Sequence, residues 1–383
     1  MKKINYLLLI TLVISNFIGC AHYIYSFESS DIDIIDHECP AYSNRTVLLP
    51  PDEDQIYFGA FPDFGGREDL VSERKIIDFE KLAGKKIVWA YFSNNWFDGI
   101  EFPLEAVREI HNSNMVPFIR MMPRSNDENY HSEKEYTMQN IIDGKFDNNL
   151  RKWAQDSIKT NIPLLVDFAV EMNGDWFSWS GHYNGGQVTG KYGNPDFPDG
   201  PERYRDAYRH IIDIFREERV DNITWFFHPD IYSVPDSEWN KAKYYYPGDN
   251  YIDWIGVSIY GPQNPDEDYW DTFSEILKEK YMIIKEITEN KPVALLEFGV
   301  TDNHSLGKKS EWLNDVFNTI LNNSYINFKA VSYWHENWEE RDNLFATLRI
   351  DSSEEGLAAF QKGVKSNLFI SEAMFSSPGV SNN

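Results

Sequence analysis

Two glutamates lie at the ends of strand-like segments of the chain. At such positions a charge destabilises the fold unless it has a partner or a function. Glu171 follows the almost wholly apolar residues 163–170, and Glu297 follows residues 292–296. An ionised side chain after such a segment destabilises the fold unless it is paired or functional. Two carboxyl groups at one site can divide the work of glycoside hydrolysis, because one can attack the anomeric carbon while the other protonates the leaving oxygen. The alternative is that one of them belongs to a structural ion pair.

The segments that would position these glutamates alternate between strand-like and helical patterns. Strand-like runs rich in β-branched and aromatic residues occupy 56–61, 86–93, 116–123, 163–171, 222–229, 252–260, 292–299 and 328–336. Helical periodicity occupies 71–83, 103–113, 149–160, 201–218, 272–289, 308–322 and 353–364. This alternation predicts an α/β fold with a parallel sheet. Eight repeats without a glycine-rich phosphate turn favour a single (β/α)8 TIM barrel, whose functional residues lie at the C-terminal ends of the strands.

The N-terminal segment carries the pattern of an export signal. Residues 1–19 combine two lysines with a short apolar run, which is typical of a signal peptide and too short for a spanning helix. The Ile-Gly-Cys sequence ending at Cys20 is similar to a bacterial lipobox, so we expect Cys20 to be lipidated and the protein to be exported and membrane-anchored. The alternative is plain secretion, with Cys20 removed or paired with Cys39.

The remaining domain boundaries follow from composition. Residues 20–54 are rich in acidic residues, serine and proline and predict a tether, with one short strand at 46–49. The barrel is expected at residues 55–370, followed by a C-terminal tail at 371–383.

Composition excludes several classes of protein. The formal charge is −25, which disfavours binding to nucleic acids. Two cysteines cannot form a disulfide scaffold or a four-thiolate zinc site. The sequence has no common nucleotide-binding motif and no HExxH, so we expect neither a cofactor nor a catalytic metal, although a structural calcium ion stays open. With 12 Trp, 22 Tyr and 25 Phe, the composition fits a binder of neutral, polar, ring-shaped ligands. We expect the protein to be a monomer.

Several segments resemble glycoside hydrolase family 26. The sequence EMNGDWFSW at 171–179 is similar to that family's acid/base motif, and GKFD at 144–147 resembles the segment ahead of it. YYPGD at 245–249 with YIDWIGV at 251–257, and KP at 291–292 leading to EFG at 297–299, match further parts of the barrel. The resemblance implies that Glu171 is the acid/base and Glu297 the nucleophile. It also implies a configuration-retaining reaction, with carboxyl groups about 5–5.5 Å apart.

Two positions depart from the mannanases of that family. They usually carry His immediately before the acid/base and Arg four residues before it, whereas this chain has Val170 and Asp167. Strand alternation places Asp167, Ala169 and Glu171 on one face, so Asp167 should point into the barrel and need a partner. We expect an ion pair between Asp167 and Arg120.

Other residues near strand ends are candidates for substrate binding. Tyr260 is expected to hydrogen-bond the nucleophile, and His228 to contact a sugar hydroxyl unless it is structural. Trp334 resembles the aromatic floor beside the reacting sugar in related barrels. Aromatic faces suit the apolar faces of pyranose rings, although each tryptophan also has an interpretation as packing. The complete set of predicted binding residues is Trp176, Trp179, Tyr260, Trp334, His228, Arg120 and Trp96.

Together these observations predict a retaining endo-β-glycanase. Its expected substrate is a β-1,4-mannan or glucomannan. A β-1,3-1,4-glucanase of the same family is the alternative, because the missing histidine before Glu171 weakens the mannan assignment more than it weakens hydrolysis. A non-catalytic surface lipoprotein that binds glycans is the alternative from another class.

Overall fold

The computed structural model describes residues 45–52, 54–126, 132–341 and 344–376 of the chain. The predicted signal peptide, the lipidation of Cys20 and most of the predicted tether lie outside these residues and stay predictions. Among the helices that are described, none has both the length and the apolar character needed to cross a bilayer.

Eight parallel strands close into a barrel within the described residues. They are β1 (Ile56–Phe61), β2 (Trp89–Asn95), β3 (Val116–Met122), β4 (Leu164–Phe168), β5 (Ile223–Phe227), β6 (Trp254–Tyr260), β7 (Val293–Gly299) and β8 (Phe328–Trp334). Each strand pairs with the next along the chain, and β1 pairs with β8 from Tyr57 opposite Ala330 to Phe61 opposite Trp334. The predicted (β/α)8 barrel is therefore confirmed.

Helices connect the strands in the order that the sequence predicts. They are α1 (Glu73–Ala83), α2 (Leu104–Asn112), α3 (Met138–Ile142), α4 (Asp147–Thr160), α5 (Asp199–Glu217), α6 (Phe273–Lys285), α7 (Lys309–Leu321) and α8 (Glu354–Val364). Their starts show the expected capping chemistry: the Ser72 side chain accepts a hydrogen bond from the Lys75 amide, and Thr272 forms a capping box with Glu275. These caps fix where α1 and α6 begin.

Several short elements among the described residues were absent from the sequence prediction. Helix α3 is a single turn, and strands β9 (Asn337–Arg341) and β10 (Leu344–Thr347) form an antiparallel hairpin after β8. Strand β11 (Phe369–Ile370) pairs with β1 outside the barrel. Elements of this length carry too few residues for a periodic pattern to stand out.

Strand β4 ends three residues earlier than the sequence predicts. Ala169 and Glu171 adopt left-handed backbone conformations with φ of 51° and 55°, so the strand stops at Phe168. The expectation that Glu171 continues the alternation of β4 was therefore wrong, because this backbone turns the chain away from the sheet.

Residues 45–52, which the sequence assigned to the tether, contact the N-terminal end of the barrel. Leu48 is buried and bridges to Phe375, and its amide donates to the Thr224 hydroxyl at the start of β5. Arg45 forms an ion pair of 2.7 Å with Asp253. The predicted C-terminal tail contributes Phe375 to this contact, so both ends of the described chain close the base of the barrel, opposite the strand ends that carry Glu171 and Glu297.

Candidate active site

Glu171 lies at the mouth of the barrel with a strained backbone that its surroundings hold in place. Its amide donates a hydrogen bond of 2.7 Å to the His228 carbonyl, which ties the end of β4 to the end of β5. A non-glycine residue in the left-handed region costs about 1–3 kcal/mol and persists only where its surroundings impose it. The Trp176 indole donates to Glu171 Oε2 over 2.7 Å. The carboxyl group is thus buried, and the hydrogen bond from Trp176 fixes its orientation.

Glu297 lies on β7 next to an irregularity in the strand pairing. Leu295 pairs with Val257 and Glu297 with Ser258, so β7 carries one extra residue between the two pairs. Such a bulge re-aims the side chains around it. The Tyr260 hydroxyl donates to Glu297 Oε2 over 2.9 Å, and Arg120 Nη2 lies 3.5 Å from Oε1. The hydrogen bond between Tyr260 and Glu297 is the contact that the sequence predicts.

The two glutamates meet across the mouth of the barrel. A carboxylate oxygen of Glu171, one of Glu297 and a ring nitrogen of His228 all lie within 4.8 Å of one another. This spacing suits a retaining site, because inverting sites separate the carboxyl groups by roughly 6.5–9.5 Å to admit a water molecule. The same three residues form a group that could hold a metal ion. However, His228 Nδ1 and Nε2 are already within hydrogen-bonding distance of Asp167 and Ser258.

Burial and neighbouring charges act on the ionisation of Glu297. The pKa of Glu297 is raised to about 8, first by burial, against the lowering effect of Arg120, and further by the charges of Glu171 and Glu68. A negative charge close by makes the charged form of a carboxyl group less favourable, whereas the nearby guanidinium of Arg120 favours that form. The ionisation of Glu297 therefore depends on the balance between Arg120 and the surrounding carboxylates.

The predicted ion pair between Asp167 and Arg120 was wrong. The two residues are opposite one another on β4 and β3, and Asp167 points into the barrel as expected. Its Oδ2 instead accepts a hydrogen bond from the Tyr91 hydroxyl and lies 3.1 Å from His228 Nδ1. The long side chain of Arg120 carries its guanidinium past Asp167, so Nη1 donates over 2.7 Å to Glu68.

His228 belongs to a buried polar network below the carboxyl pair. Its Nδ1 lies 3.1 Å from Asp167 Oδ2, and its Nε2 lies 2.9 Å from the Ser258 hydroxyl. With both ring nitrogens engaged, the imidazole is fixed in orientation. The structure therefore favours the structural interpretation of His228 over a direct contact with sugar.

The four tryptophans predicted to bind sugar have different environments. Trp176 is half-buried and positions Glu171. Trp179 is buried, stacks on Phe177 and donates to the Val170 carbonyl. Trp96 is fully buried, with its ring against Tyr136. Neither Trp96 nor Trp179 exposes a face, so the expectation that they bind sugar was wrong: apolar packing behind the loops takes up both rings.

Trp334 lies beside the carboxyl pair but is enclosed by protein. Its ring stacks on Phe61 at 4.0 Å between centroids, and the Arg120 guanidinium lies 4.8 Å from the ring. The side chain is 3% exposed. Its contacts therefore support Arg120 more directly than they offer an open floor for a sugar.

Three residues at the mouth were missed by sequence reasoning. Glu68 contacts Arg120 from the loop after β1. Asp230 follows β5, its backbone is held by Asn173, and burial together with the charge of Glu171 raises its pKa. Trp338 on β9 is half-buried, with its ring 6.2 Å from that of Tyr260. Asp230 and Trp338 each follow a predicted strand end, which was the available signal, whereas nothing in the sequence singled out Glu68.

Comparison with known proteins relates the chain to one family. The family model described as Glycosyl hydrolase family 26 matches residues 125–302, a range that includes both Glu171 and Glu297. Over these residues the chain is similar to glycosyl hydrolase family 26. The chain is 28% identical over 297 residues to Endoglucanase H of Acetivibrio thermocellus, covering 76% of the chain and 29% of that protein. It is 26% identical over 191 residues to Mannan endo-1,4-beta-mannosidase A and B of Caldalkalibacillus mannanilyticus, covering 49% and 31% respectively.

The fold of the chain is also similar to solved structures. The catalytic domain of the endo-beta-1,4-mannanase of Bacillus sp. JAMB-750 aligns with a TM-score of 0.58 and 19% identity, over 82% of this chain and 87% of that one. At this identity the match supports the barrel fold alone. The chain spans less than a third of the length of the two curated relatives.

Proposed function

We propose that the protein is a retaining endo-β-glycanase that hydrolyses a β-linked polysaccharide. The observation that carries this proposal is the spacing of the carboxyl pair: oxygens of Glu171 and Glu297 lie within 4.8 Å at the C-terminal end of the barrel. That spacing brings a nucleophile and a proton donor to one glycosidic bond and is shorter than the separation by which inverting enzymes admit the attacking water. The match of residues 125–302 to glycosyl hydrolase family 26 supports the same reaction class.

The proposed reaction is a double displacement. In the first step, ionised Glu297 attacks the anomeric carbon, the bond from that carbon to the leaving oxygen breaks, and protonated Glu171 transfers its proton to that oxygen. In the second step, Glu171 takes a proton from water, the water oxygen bonds to the anomeric carbon, and the ester bond to Glu297 breaks. Both inversions together retain the configuration.

Neighbouring side chains keep the two carboxyl groups in these roles. The Trp176 indole fixes Glu171 Oε2, which leaves the other oxygen to face the glycosidic bond. The Tyr260 hydroxyl and the Arg120 guanidinium stabilise the charge of Glu297 before attack and when it leaves. These contacts are made within the resting protein, so they need little reorganisation during the reaction.

Two substrates are proposed. A β-1,4-mannan or glucomannan is expected from the family resemblance and from the mannanase relatives. A mixed-linkage β-1,3-1,4-glucan is favoured by Val170, which places an aliphatic side chain where the family's mannanases carry histidine, and by the longer match to an endoglucanase. Because these two observations concern the reacting site and most of the barrel, we place the glucan on equal terms with mannan.

A substrate panel tests the reaction and separates the two candidates. Glucomannan, galactomannan, barley β-glucan, xylan and a β-1,3-linked polymer are incubated with the protein, and new reducing ends are measured. Proton NMR of the first products should show the β-anomer before mutarotation. Binding to a glycan with no reducing-end release from any polymer would support the non-catalytic alternative and overturn the proposal.

Variants of the carboxyl pair test the assigned roles. Glu297→Ala should abolish turnover, and Glu171→Ala should slow it by at least about 10³-fold on polysaccharide. An aryl glycoside with a good leaving group needs no proton, so it should restore the first step in Glu171→Ala but not in Glu297→Ala. The opposite pattern would exchange the roles of the two glutamates. Full activity of either variant would refute the role proposed for the replaced glutamate.

We also propose that the protein is exported and anchored by a lipid on Cys20. The support is the apolar segment ending in Ile-Gly-Cys. Expression in a bacterium fed radiolabelled palmitate should label the wild type and leave Cys20→Ser unlabelled. Equal labelling of both proteins, or labelling of neither, would contradict the anchor.

A further inference from the structure

Arg120 is shared between two carboxylates. Its Nη1 donates to Glu68 Oε2 over 2.7 Å, whereas its Nη2 lies 3.5 Å from Glu297 Oε1. The first contact is a charge-assisted hydrogen bond, and the second is an ion pair too long to count as one. The guanidinium also packs against the Tyr91 and Trp334 rings, which restricts its movement. In the resting protein, Glu68 therefore binds Arg120 more closely than the catalytic pair does.

Glu68 is itself held in place with a strained backbone. Its φ is 62°, a left-handed conformation that costs a non-glycine residue about 1–3 kcal/mol. The Ser93 amide donates to the Glu68 carbonyl over 2.9 Å, and the Ser93 hydroxyl donates to the Glu68 carboxylate. Two hydrogen bonds from the neighbouring strand β2 thus fix the position of the carboxylate beside Arg120. A strained residue held this firmly indicates a functional constraint.

The charges around Glu297 come from most strands of the barrel. The groups that face it are Arg120, Glu68, Glu171, Tyr260, Tyr91, Asp230 and His228. Three of these groups are carboxyl groups and one is a guanidinium, so the position of the Arg120 guanidinium has a large influence on the ionisation of Glu297. A group that competes for Arg120 therefore changes the ionisation of Glu297 without contacting it.

We propose that Glu68 is a positioning residue, which holds the Arg120 guanidinium and thereby limits how much of its positive charge reaches Glu297. This inference rests on the proposed role of Glu297 as nucleophile. It assigns Glu68 no contact with substrate. Its effect on the reaction passes through Arg120 and sets the pH range in which Glu297 is ionised and able to attack.

Glu68→Gln tests this role with little change of shape. The amide oxygen still accepts from Ser93 and Arg120, but the negative charge is gone, so Arg120 is free to pair more fully with Glu297. Loss of one nearby negative charge and gain of a closer positive one both lower the pKa of Glu297. We expect the acidic limb of kcat/KM against pH to move down by about one pH unit, with kcat at the optimum within about threefold of wild type.

A matched control uses a similar ion pair far from the barrel mouth. Glu218 accepts from Arg151 Nη1 over 3.0 Å on the helical surface, so Glu218→Gln removes the same kind of charge and should leave the profile unchanged. An unmoved limb in folded Glu68→Gln would overturn the proposal, as would a loss of kcat at every pH without a shift. Should Glu68→Gln fail to fold, Glu68→Asp should give a smaller shift in the same direction, and an unmoved limb would overturn the proposal.

A second readout needs no substrate. Because Glu297 binds its proton more tightly in the folded state, the free energy of unfolding should fall as pH rises from about 4.5 to 8. Glu68→Gln should reduce that fall, and it should have no effect on it once Glu297 is replaced by Gln. These four combinations of Glu68→Gln and Glu297→Gln form a double-mutant cycle. Since Glu68 also raises the pKa of Glu336, all four proteins also carry Glu336→Gln. An equal effect of Glu68→Gln with and without Glu297 would overturn the coupling.

The two readouts distinguish failure of this inference from failure of the proposed function. If no polysaccharide is cleaved but the stability cycle shows coupling, the hydrolase proposal fails and the electrostatic link stands. If hydrolysis is observed and neither readout responds to Glu68→Gln, the link fails and the hydrolase proposal stands.

Discussion

At the scale of single residues, the mouth of the barrel concentrates carboxyl groups around one guanidinium. Glu297 has a pKa raised to about 8, and burial with neighbouring carboxylates also raises the pKa of Asp230 and of Glu336. Keeping these groups close is unfavourable for stability, because each is harder to ionise in the folded state than in water. In the proposed reaction, the same arrangement supplies a proton donor beside a nucleophile, so the proposed chemistry comes at a cost in stability.

Replacing Glu297, the proposed nucleophile, should therefore stabilise the protein at alkaline pH. The folded state binds the Glu297 proton more tightly than the unfolded state does, so wild type loses stability as pH rises from about 4.5 through 8. Glu297→Gln removes this loss. The melting temperature of the variant relative to wild type should rise between pH 5 and pH 8.5, measured by calorimetry, and a constant difference would contradict the raised pKa.

Two tryptophans test the difference between packing and substrate contact. Trp96 is fully buried, so Trp96→Ala should lower the free energy of unfolding by about 3–5 kcal/mol. Trp338 is half-buried beside Tyr260, so Trp338→Ala should cost less stability and raise KM for polysaccharide about tenfold. Denaturant titration and initial rates measure both. A raised KM for folded Trp96→Phe would show that the packing assignment is wrong.

At the scale of elements, the segment after β8 depends on a buried lysine. Lys309, at the start of α7, donates to the Thr347 and Arg349 carbonyls over 2.6 and 2.8 Å, and to the Ser352 hydroxyl. Burial lowers its pKa to about 7. These bonds hold the residues after β10 against the helix. The hairpin they support carries Trp338 next to Tyr260, so the helix layer helps to position the mouth.

Lys309→Met should loosen this segment more than the rest of the barrel. The methionine keeps most of the length of the side chain but leaves the carbonyls of Thr347 and Arg349 without their donor, at a cost of about 2 kcal/mol. Hydrogen exchange should increase at residues 344–352 and stay low in the barrel strands. Unchanged exchange in that segment would contradict the role given to Lys309.

At the scale of the whole molecule, the described ends of the chain close the barrel base. The Leu49 amide donates to the Met374 carbonyl, and the Ser376 amide donates to the Val47 carbonyl. The Tyr57 hydroxyl donates to the Leu49 carbonyl and accepts from the Met374 amide. These contacts cover the start of β1 at the end of the barrel away from the site.

Two truncated proteins should show whether residues 371–376 stabilise the barrel. Ending the chain after Ile370 removes the partners of Val47 and Leu49 and should lower the melting temperature by several degrees, because about 1–2 kcal/mol shifts a domain of this size by that amount. A chain ending after Ser376 keeps every described contact and serves as the control. Equal melting temperatures for the two truncated proteins would contradict a stabilising role for residues 371–376.

The order of elements could be read from the sequence because each one is a local pattern. The eight strand-like runs and the capped helices determine a closed barrel, and barrel geometry places Glu171 and Glu297 at the same end. The aromatic and carboxylate content near the strand ends indicated a site for sugars before any distance was known. Only short elements, such as the hairpin after β8, lacked enough residues for a pattern.

Partnerships across the barrel were decided only in three dimensions. Sequence alternation pointed Asp167 towards Arg120 but did not reveal that the guanidinium reaches Glu68 instead. The burial of Trp96, the left-handed turn at Glu171 and the raised pKa of Glu297 likewise depend on groups far apart in the chain. Periodicity reports which face a residue occupies, whereas electrostatics depends on distances of a few ångströms between strands. The sequence therefore determined the barrel and the pair of carboxyl groups proposed to react, and the tertiary structure decided which side chains act on the ionisation of Glu297.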